Sequence, residues 1–307
     1  MEMKKIIVVG STNMDMVVKT SHIPEPGETV LGGTFFMNPG GKGANQAVAV
    51  ARLGGDVIFV SKMGNDVFGK QSFRLYDEEG IDTSYILSDD DLPSGVALIT
   101  VDEAGENSIV VAPGANAALG SAEVAKALKD ISGQHIVLLQ LEIPLETVHF
   151  VVREAAQKGA TVILNPAPAA SLSSALLQFV DLLTPNETEA SILSGIKVTN
   201  LETAKQAAKA IRGLGVTNVV ITMGESGALL LEDDIFYEVP TPKVQPVDTT
   251  AAGDVFNGAL AVALSEGKNL HTAVGFACEA ASISVTKMGA QSSIPYRNEL
   301  ITRKVAV

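Results

Sequence analysis

From residue 121 onward the sequence alternates short apolar runs with longer stretches of helical period, and few folds accept that order. Ile136–Leu141, Val162–Leu164, Asp181–Thr184 and Asn218–Thr222 read as strands. Around them, Glu123–Ile131, Leu145–Lys158, Leu172–Phe179, Glu187–Leu193 and Leu201–Leu214 place apolar residues three and four apart, the spacing of a helix with one buried face. Strands alternating with helices form a mostly parallel sheet with right-handed crossovers. Near-continuous apolar runs fit strands buried on both faces. The expected fold is α/β and doubly wound. With no linker, repeat or low-complexity tract, residues 1–307 read as one domain.

The first half is less regular. Ile6–Val9 reads as a buried strand closed by Gly10, with Met16–Lys19 a second strand. Thr29–Phe36 is β-rich, but Gly32-Gly33 points to a bulge or curved edge. Val57–Ser61 reads as a strand, Asp66–Glu79 as a helix, and Gly95–Val101 with Asn107–Val111 as a hairpin around residues 102–106. Met16–Lys19, Thr29–Phe36 and the hairpin are expected to form a small separate sheet lying over the main one, from segments at about 14–19, 29–38 and 95–111. Leu229–Leu231 and Phe236–Val239 read as another hairpin, and a last helix carrying Ala273, Phe276, Ala277, Ala280 and Ala281 is expected to end near Met288-Gly289.

In sheets of this class ligands bind past the carboxyl ends of the strands. Glu142, Asn165, Asn186, Glu187 and Gly224 stand there. Asn13 and Asp15 lie two apart, so an extended chain turns both to one side. Pro39-Gly40-Gly41-Lys42-Gly43-Ala44-Asn45-Gln46 opens a helix with glycines and a lysine, a place where a ligand can approach backbone. It is not a Walker A loop, because the required spacing is absent. The most telling stretch is Asp248-Thr249-Thr250-Ala251-Ala252-Gly253-Asp254-Val255-Phe256-Asn257-Gly258. Three prolines in Val239–Val247 make the chain before it extended. From Phe256, apolar residues at Ala259, Leu260, Ala263 and Leu264 make it helical. Small residues 251–253 leave bare the amides that a first helical turn cannot satisfy. Those amides and the helix dipole favour an anion. Asp254, inside that turn, is placed to take a proton from a hydroxyl while the turn holds a phosphoryl group. The dipole is expected to keep Asp254 ionised at neutral pH.

Net charge is −13 over 307 residues. Such a chain is a poor general binder of nucleic acid or anionic membrane, so any phosphate site must be built locally. Cys278 is the single cysteine, which rules out an internal disulfide and fits a reducing compartment. Met1-Glu2-Met3-Lys4-Lys5 runs straight into Ile6–Val9, an apolar run too short for a signal segment or a span. A soluble, cytoplasmic protein is expected.

Taken together, Asn13-Met14-Asp15, the Gly40–Gln46 stretch, Asn165-Pro166-Ala167-Pro168-Ala169, Thr184–Glu189, the Asp248–Gly258 stretch and Gly289-Ala290-Gln291 resemble the ribokinase family of carbohydrate kinases, over roughly Lys5 to Pro295. The resemblance implies ATP-dependent phosphorylation of D-ribose at the 5-hydroxyl, serving ribose catabolism, on a Rossmann-like core with a small β lid that often mediates a homodimer. It implies that Asp254 is the base and that Ala251, Ala252 and Gly253 form the anion hole. Asn13, Asp15, Gly41, Lys42, Asn45 and Glu142 would hold the sugar. Asn186, Thr222, Gly224, Ser226, Gly227, Gly253 and Asn257 would lie along ATP, with Cys278 near adenine where relatives often carry His or Asn. Glu189 would order Mg2+ through water, and Asp248, Thr250, Ser284, Lys287, Gly289 and Ser293 would hold a monovalent cation, K+. Two alternatives stand beside this reading. One is a kinase for another small acceptor such as fructose or adenosine; the other is a non-catalytic sugar or nucleotide sensor.

Overall fold

The computed structural model describes residues 3–300; Met1 and Glu2, the start of the N-terminal lead-in, lie outside the described residues. The chain begins with β1 (Lys5–Val9), β2 (Asn13–Lys19), β3 (Thr34–Gly40), α1 (Lys42–Arg52), β4 (Val57–Gly64), α2 (Val67–Glu78) and β5 (Asp82–Asp89). It continues through β6 (Gly95–Val101), β7 (Asn107–Ala112), α3 (Ser121–Ala127), β8 (His135–Leu139), α4 (Leu145–Gln157), β9 (Thr161–Leu164), α5 (Ser174–Leu177) and β10 (Leu182–Leu183). It closes with α6 (Glu187–Ser194), α7 (Leu201–Arg212), β11 (Asn218–Thr222), β12 (Ala228–Glu232), β13 (Ile235–Val239), α8 (Ala252–Ser265) and α9 (Leu270–Ser284).

Among the described residues the main sheet has nine strands in the order β13-β12-β11-β10-β9-β8-β1-β4-β5. Pairing is parallel from β11 through to β5, and antiparallel only where β12 and β13 join. The run Ile6-Ile7-Val8-Val9 explains why both faces are covered. Successive side chains point to opposite faces. Ile6 and Val8 join a core with α1, α8 and α9, while Ile7 and Val9 join one with α3, α4 and α7. Each core is a sheet face buried under helices, the arrangement a run of unbroken apolar residues demands.

The strand order turns back at β1, whose neighbours are β4 on one side and β8 on the other. A crevice forms at such a reversal, at the carboxyl ends of the strands. Into it run the loops after β1, β8, β9 and β10. The start of α1 closes over the β1–β2 loop: Ala44 N–H donates to the Ser11 carbonyl at 2.9 Å. A methyl group on Gly43 would lie 2.6 Å from the Gly10 carbonyl carbon and from Ser11 N, so only glycine permits this approach.

A second sheet has four strands in the order β3-β2-β6-β7, with β2 and β6 parallel and the other pairs antiparallel. One face carries Asn13 and Asp15. The other carries a cross-strand row, Met37, Met16, Leu98 and Val110, set by the register. Leu98 is 53% exposed and Val110 63%.

Several boundaries differ from the sequence reading. β2 starts at Asn13 rather than Met16, and β3 starts at Thr34 rather than Thr29. Gly32 and Gly33 have φ of 102° and 105°, which side-chain-free residues reach easily and strands do not use. The edge strand β5 was not anticipated; it is half-exposed, and only Tyr85-Ile86-Leu87 breaks its polar sequence. α3 and α5 are shorter than read, and α9 ends at Ser284 rather than near Met288. Gly43→Ala should lower stability by roughly 3 kcal/mol through overpacking against backbone, read as a fall in the urea midpoint at unchanged m; an unshifted midpoint would contradict the packing described.

Candidate active site

The turn 249–254 is the centre. Ala251 takes the left-handed conformation, φ 60°, and caps α8. That bend brings the chain from its extended approach into the helix within one residue. The Ala252 N–H donates to the Thr249 carbonyl at 3.2 Å, and the helical ladder begins with Val255 N–H to Ala251 O at 2.9 Å. Gly253 and Asp254 lie in the first turn, where amides have no intrahelical acceptor. A side chain at Gly253 would meet no atom within 4 Å, and Gly253 lines the cavity on that side of the turn.

Asp254 is 5% exposed. Its Oδ2 accepts from Asn45 Nδ2 at 2.9 Å and its Oδ1 from Gln46 Nε2 at 3.0 Å, both from α1. Burial pushes its carboxyl above the ordinary range, against the opposing pull of Lys42 and of the Asn45 and Gln46 donors, with Glu142 adding to the rise. The direction is opposite to the pull of the helix dipole. Desolvation of a fully buried carboxylate outweighs the ~0.3–1 kcal/mol a helix terminus offers.

The acceptor side gathers around it. Asn13 is buried, its Oδ1 held at 2.8 Å by Asn116 Nδ2. Asp15, two residues along β2, is raised to about 7, first by burial, then by Glu142 and Asp254, with Lys42 opposing. Gly41, at φ 90°, caps α1, and a Cβ there would lie 2.7 Å from Asn13 N. Glu142, after β8, accepts from Ser11 Oγ at 2.5 Å and from the Lys42 N–H at 3.0 Å. Burial lowers the Lys42 ammonium's proton affinity, but Asp254, Glu142, Glu189 and Asp15 more than reverse this. Asn45 Oδ1 is buried with no partner, a polar atom left for a ligand hydroxyl. Ser11 and Asn116 were missed in the sequence. Ser11 sits in a polar turn that its letters alone did not distinguish, and Asn116 lies in the short 3-10 turn Gly114–Ala118, far from any motif.

On the other side of the turn a cavity of about 640 Å³ opens, lined by Thr222, Gly224, Ser226, Gly227, Gly253 and Cys278 from the expected set. Thr241, Val244, Phe256 and Val285 also line it. The Thr241 hydroxyl is spent on the Cys278 carbonyl at 3.2 Å and the other three are apolar walls, so no motif marks them. Asn186 and Asn257 are not on this wall. Asn186 bridges to Thr222 in parallel fashion and caps α6. Asn257 is spent inside, accepting from Thr184 Oγ1 at 2.6 Å and donating to the Gly253 carbonyl at 2.8 Å. Burial pushes the Cys278 thiol up to about 12, so it lines the cavity as a small apolar group.

Glu189 is buried, and one carboxylate oxygen accepts from the Asn186 N–H at 2.8 Å in a capping box. Burial raises its carboxyl, with Asn186 and Lys42 opposing and Asp254 adding. Asp248 joins two of the expected cation-site residues directly, accepting from Thr250 N–H at 2.9 Å and Gly289 N–H at 2.8 Å. The Ser284 carbonyl accepts from Lys287 N–H at 3.0 Å, and the Lys287 ammonium is paired with Glu299. Ser293 is buried in a 3-10 turn, its hydroxyl donating to the Ala290 carbonyl.

The profile of the pfkB family carbohydrate kinases matches residues 3–297. The chain belongs to the pfkB family of carbohydrate kinases. This pfkB kinase is 44% identical to a ribokinase of Haemophilus influenzae, over 97% of each chain. Its fold superposes on a Thermotoga maritima ribokinase with a TM-score of 0.89 at 44% identity, covering 97% of this chain and 98% of that one. An Arabidopsis thaliana ribokinase complexed with ribose and ATP gives a TM-score of 0.90 at 34% identity, covering 98% of each. No helix among the described residues is long and apolar enough to cross a membrane.

Asp15 supplies a direct check on the site's electrostatics. Its folded value, about 7, lies above the ordinary 3.8, so its protonated form is favoured in the native state. The stability this gives is present in full below pH 4 and is lost as pH rises through 7. Asp15→Asn should therefore match the parent near pH 4 and exceed it by about 4 kcal/mol above pH 7, measured by urea unfolding across pH; a pH-independent difference would refute the raised value.

Proposed function

We propose that this kinase transfers the γ-phosphoryl group of ATP to the 5-hydroxyl of D-ribose, giving D-ribose 5-phosphate and ADP. The observation that carries the reading is the position of Asp254. It lies between a helix-opening turn that lines an open cavity and a cluster of carboxylates and amides suited to a polyol. Asn13, Asp15, Asn45 and Glu142 offer donors and acceptors together, as sugar hydroxyls require. Gly41 and Lys42 bound the same corner. Nucleotide fits the cavity lined by Thr222, Gly224, Ser226, Gly227 and Cys278, with Asn186 and Asn257 bracing its floor.

In this reading Asp254 takes the proton of the acceptor hydroxyl as its oxygen bonds to phosphorus, and the bond from phosphorus to the bridging oxygen breaks to release ADP. The transition state is loose, so positioning and charge stabilisation dominate. Ala251 turns the chain so that the Gly253 amide meets the migrating group, while the Ala252 N–H stays with the Thr249 carbonyl and shapes the turn, and Lys42 balances the surrounding acids. A buried carboxylate with elevated proton affinity is a better base than an exposed one.

Mg2+ would neutralise phosphate charge in such a reaction. Glu189 would hold it through water with its remaining oxygen. Among the described residues no group of three or more His, Cys, Asp or Glu could hold a metal ion. K+ would sit by Asp248 with Thr250, Ser284, Lys287, Gly289 and Ser293, largely through carbonyls, and fix the loop that leads into the anion-binding turn. The four-stranded sheet acts as a lid, and a second copy covers its outer face. The Met37–Met16–Leu98–Val110 row is the kind of contiguous apolar strip that monomers seldom leave to solvent. A cytoplasmic location fits a lone, buried cysteine.

Ribose-dependent ADP release in a coupled assay tests the activity, and its absence would reject it. Asp254→Asn should keep the fold and lose ~10²–10⁴-fold in kcat; near-parental turnover in the folded variant would refute the assigned base. Leu98→Asp should convert a dimer into monomers by sedimentation velocity, and a monomeric parent at micromolar concentration would overturn the assembly.

A further inference from the structure

Behind Asp254 lies a chain of buried polar side chains. Gln140, Gln46, Asn165, Thr184 and Asn257 are each between 0% and 6% exposed. Gln140 Nε2 donates to Gln46 Oε1 at 2.5 Å. Gln46 Nε2 then donates twice, to Asp254 Oδ1 at 3.0 Å and to Asn165 Oδ1 at 3.1 Å. Asn165 Nδ2 donates to the Thr184 carbonyl at 3.3 Å.

The direction of this chain is settled by its last member. An amide can be turned over in place, but a backbone carbonyl only accepts. Thr184 O therefore requires the NH2 end of Asn165. Asn165 then offers Oδ1 to Gln46, and Gln46 must answer with its own NH2. The same NH2 meets Asp254, while Gln46 Oε1 is filled by Gln140. Turning Gln46 over would set an oxygen against both Asp254 and Asn165, two acceptors, in a buried place where an unpaired oxygen is costly. Asn45 donates to the other Asp254 oxygen. Both Asp254 oxygens are thus committed to accepting.

We propose that Gln46, oriented by Gln140 on one side and by the Asn165–Thr184 pair on the other, is the positioning residue that fixes the Asp254 carboxylate and presents it as a hydrogen-bond acceptor. Gln46 does not touch the reacting atoms. Its role is to hold the base at the angle its proton transfer needs and to favour the form that can receive a proton. The remaining charged groups facing Asp254 are Lys42 on α1, Glu142 after β8, Asp15 on β2 and Glu189 on α6. Three of these four are carboxylates, so an acceptor-selecting neighbour has an effect to oppose. The inference rests on the reading of Asp254 as the base.

The test is the pH dependence of kcat/KM for ribose in Gln46→Met and Gln46→Glu, beside Asp254→Asn. Gln46→Glu keeps the shape and still accepts from Gln140, but it replaces the donors with oxygen. Both Gln46 variants should lose ~10²-fold in kcat, the scale of a misplaced catalytic group, with ribose KM within a few-fold. Their acid limb should move to higher pH, further for Gln46→Glu. Gln140→Met, which frees Gln46 to turn, should move the limb the same way by less, and it stands as the deciding variant if neither Gln46 variant folds. A folded variant whose acid limb and kcat stay at the parental values would overturn the proposal. If Asp254→Asn itself keeps its activity, the assignment of the base fails instead; if only Asp254→Asn is inactive, the base stands and the role of Gln46 falls.

Discussion

A carboxylate with almost no contact with water must be compensated by its neighbours, and Asp254 imposes that requirement on the fold. A buried ionised group without donors or an opposing charge would give up its charge. Its donors, Asn45 and Gln46, come from the first two turns of α1, and Lys42 comes from the same helix start. That helix can reach Asp254 only because it presses onto the β1–β2 loop at Gly43. The same loop delivers Asn13 and, through Ser11, braces Glu142. The packing that closes the core and the polar contacts that equip the crevice are one set of contacts.

The main sheet was legible in the sequence because strands buried on both faces leave unbroken apolar runs, and β1, β8, β9 and β11 have them. β5 escaped because an edge strand is wet and shows neither a run nor a clear alternation. Ends of elements were less legible than elements, since Gly32 and Gly33 stop β3 through backbone geometry that composition only hints at. Within the site, the glycine-rich stretch and the Asp248–Gly258 stretch stood out because unusual backbone requirements leave unusual residues. Asn116, Thr241 and Val285 left no such trace. Asn116 acts on Asn13 from about a hundred positions away, and the other two are ordinary wall residues.

The upward push that burial exerts on Asp254 is hidden from the sequence for a related reason. A helix start is visible in one dimension, while burial is a property of everything packed around it. Asn257 makes the same point in reverse. It stands in the most recognisable stretch of the chain, yet its side chain faces inward to Thr184 and the Gly253 carbonyl rather than the cavity.

Asp15 rides on the four-stranded sheet, whereas Lys42, Glu142 and Asp254 belong to the helices and loops of the nine-stranded one. Its carboxyl is lifted by desolvation and by acids across that divide. Any swing of the smaller sheet outward would let in solvent and lengthen the distances to Glu142 and Asp254, and the carboxyl would slide back toward ordinary behaviour. The titration of one side chain thereby becomes an internal gauge of how far apart the two layers stand.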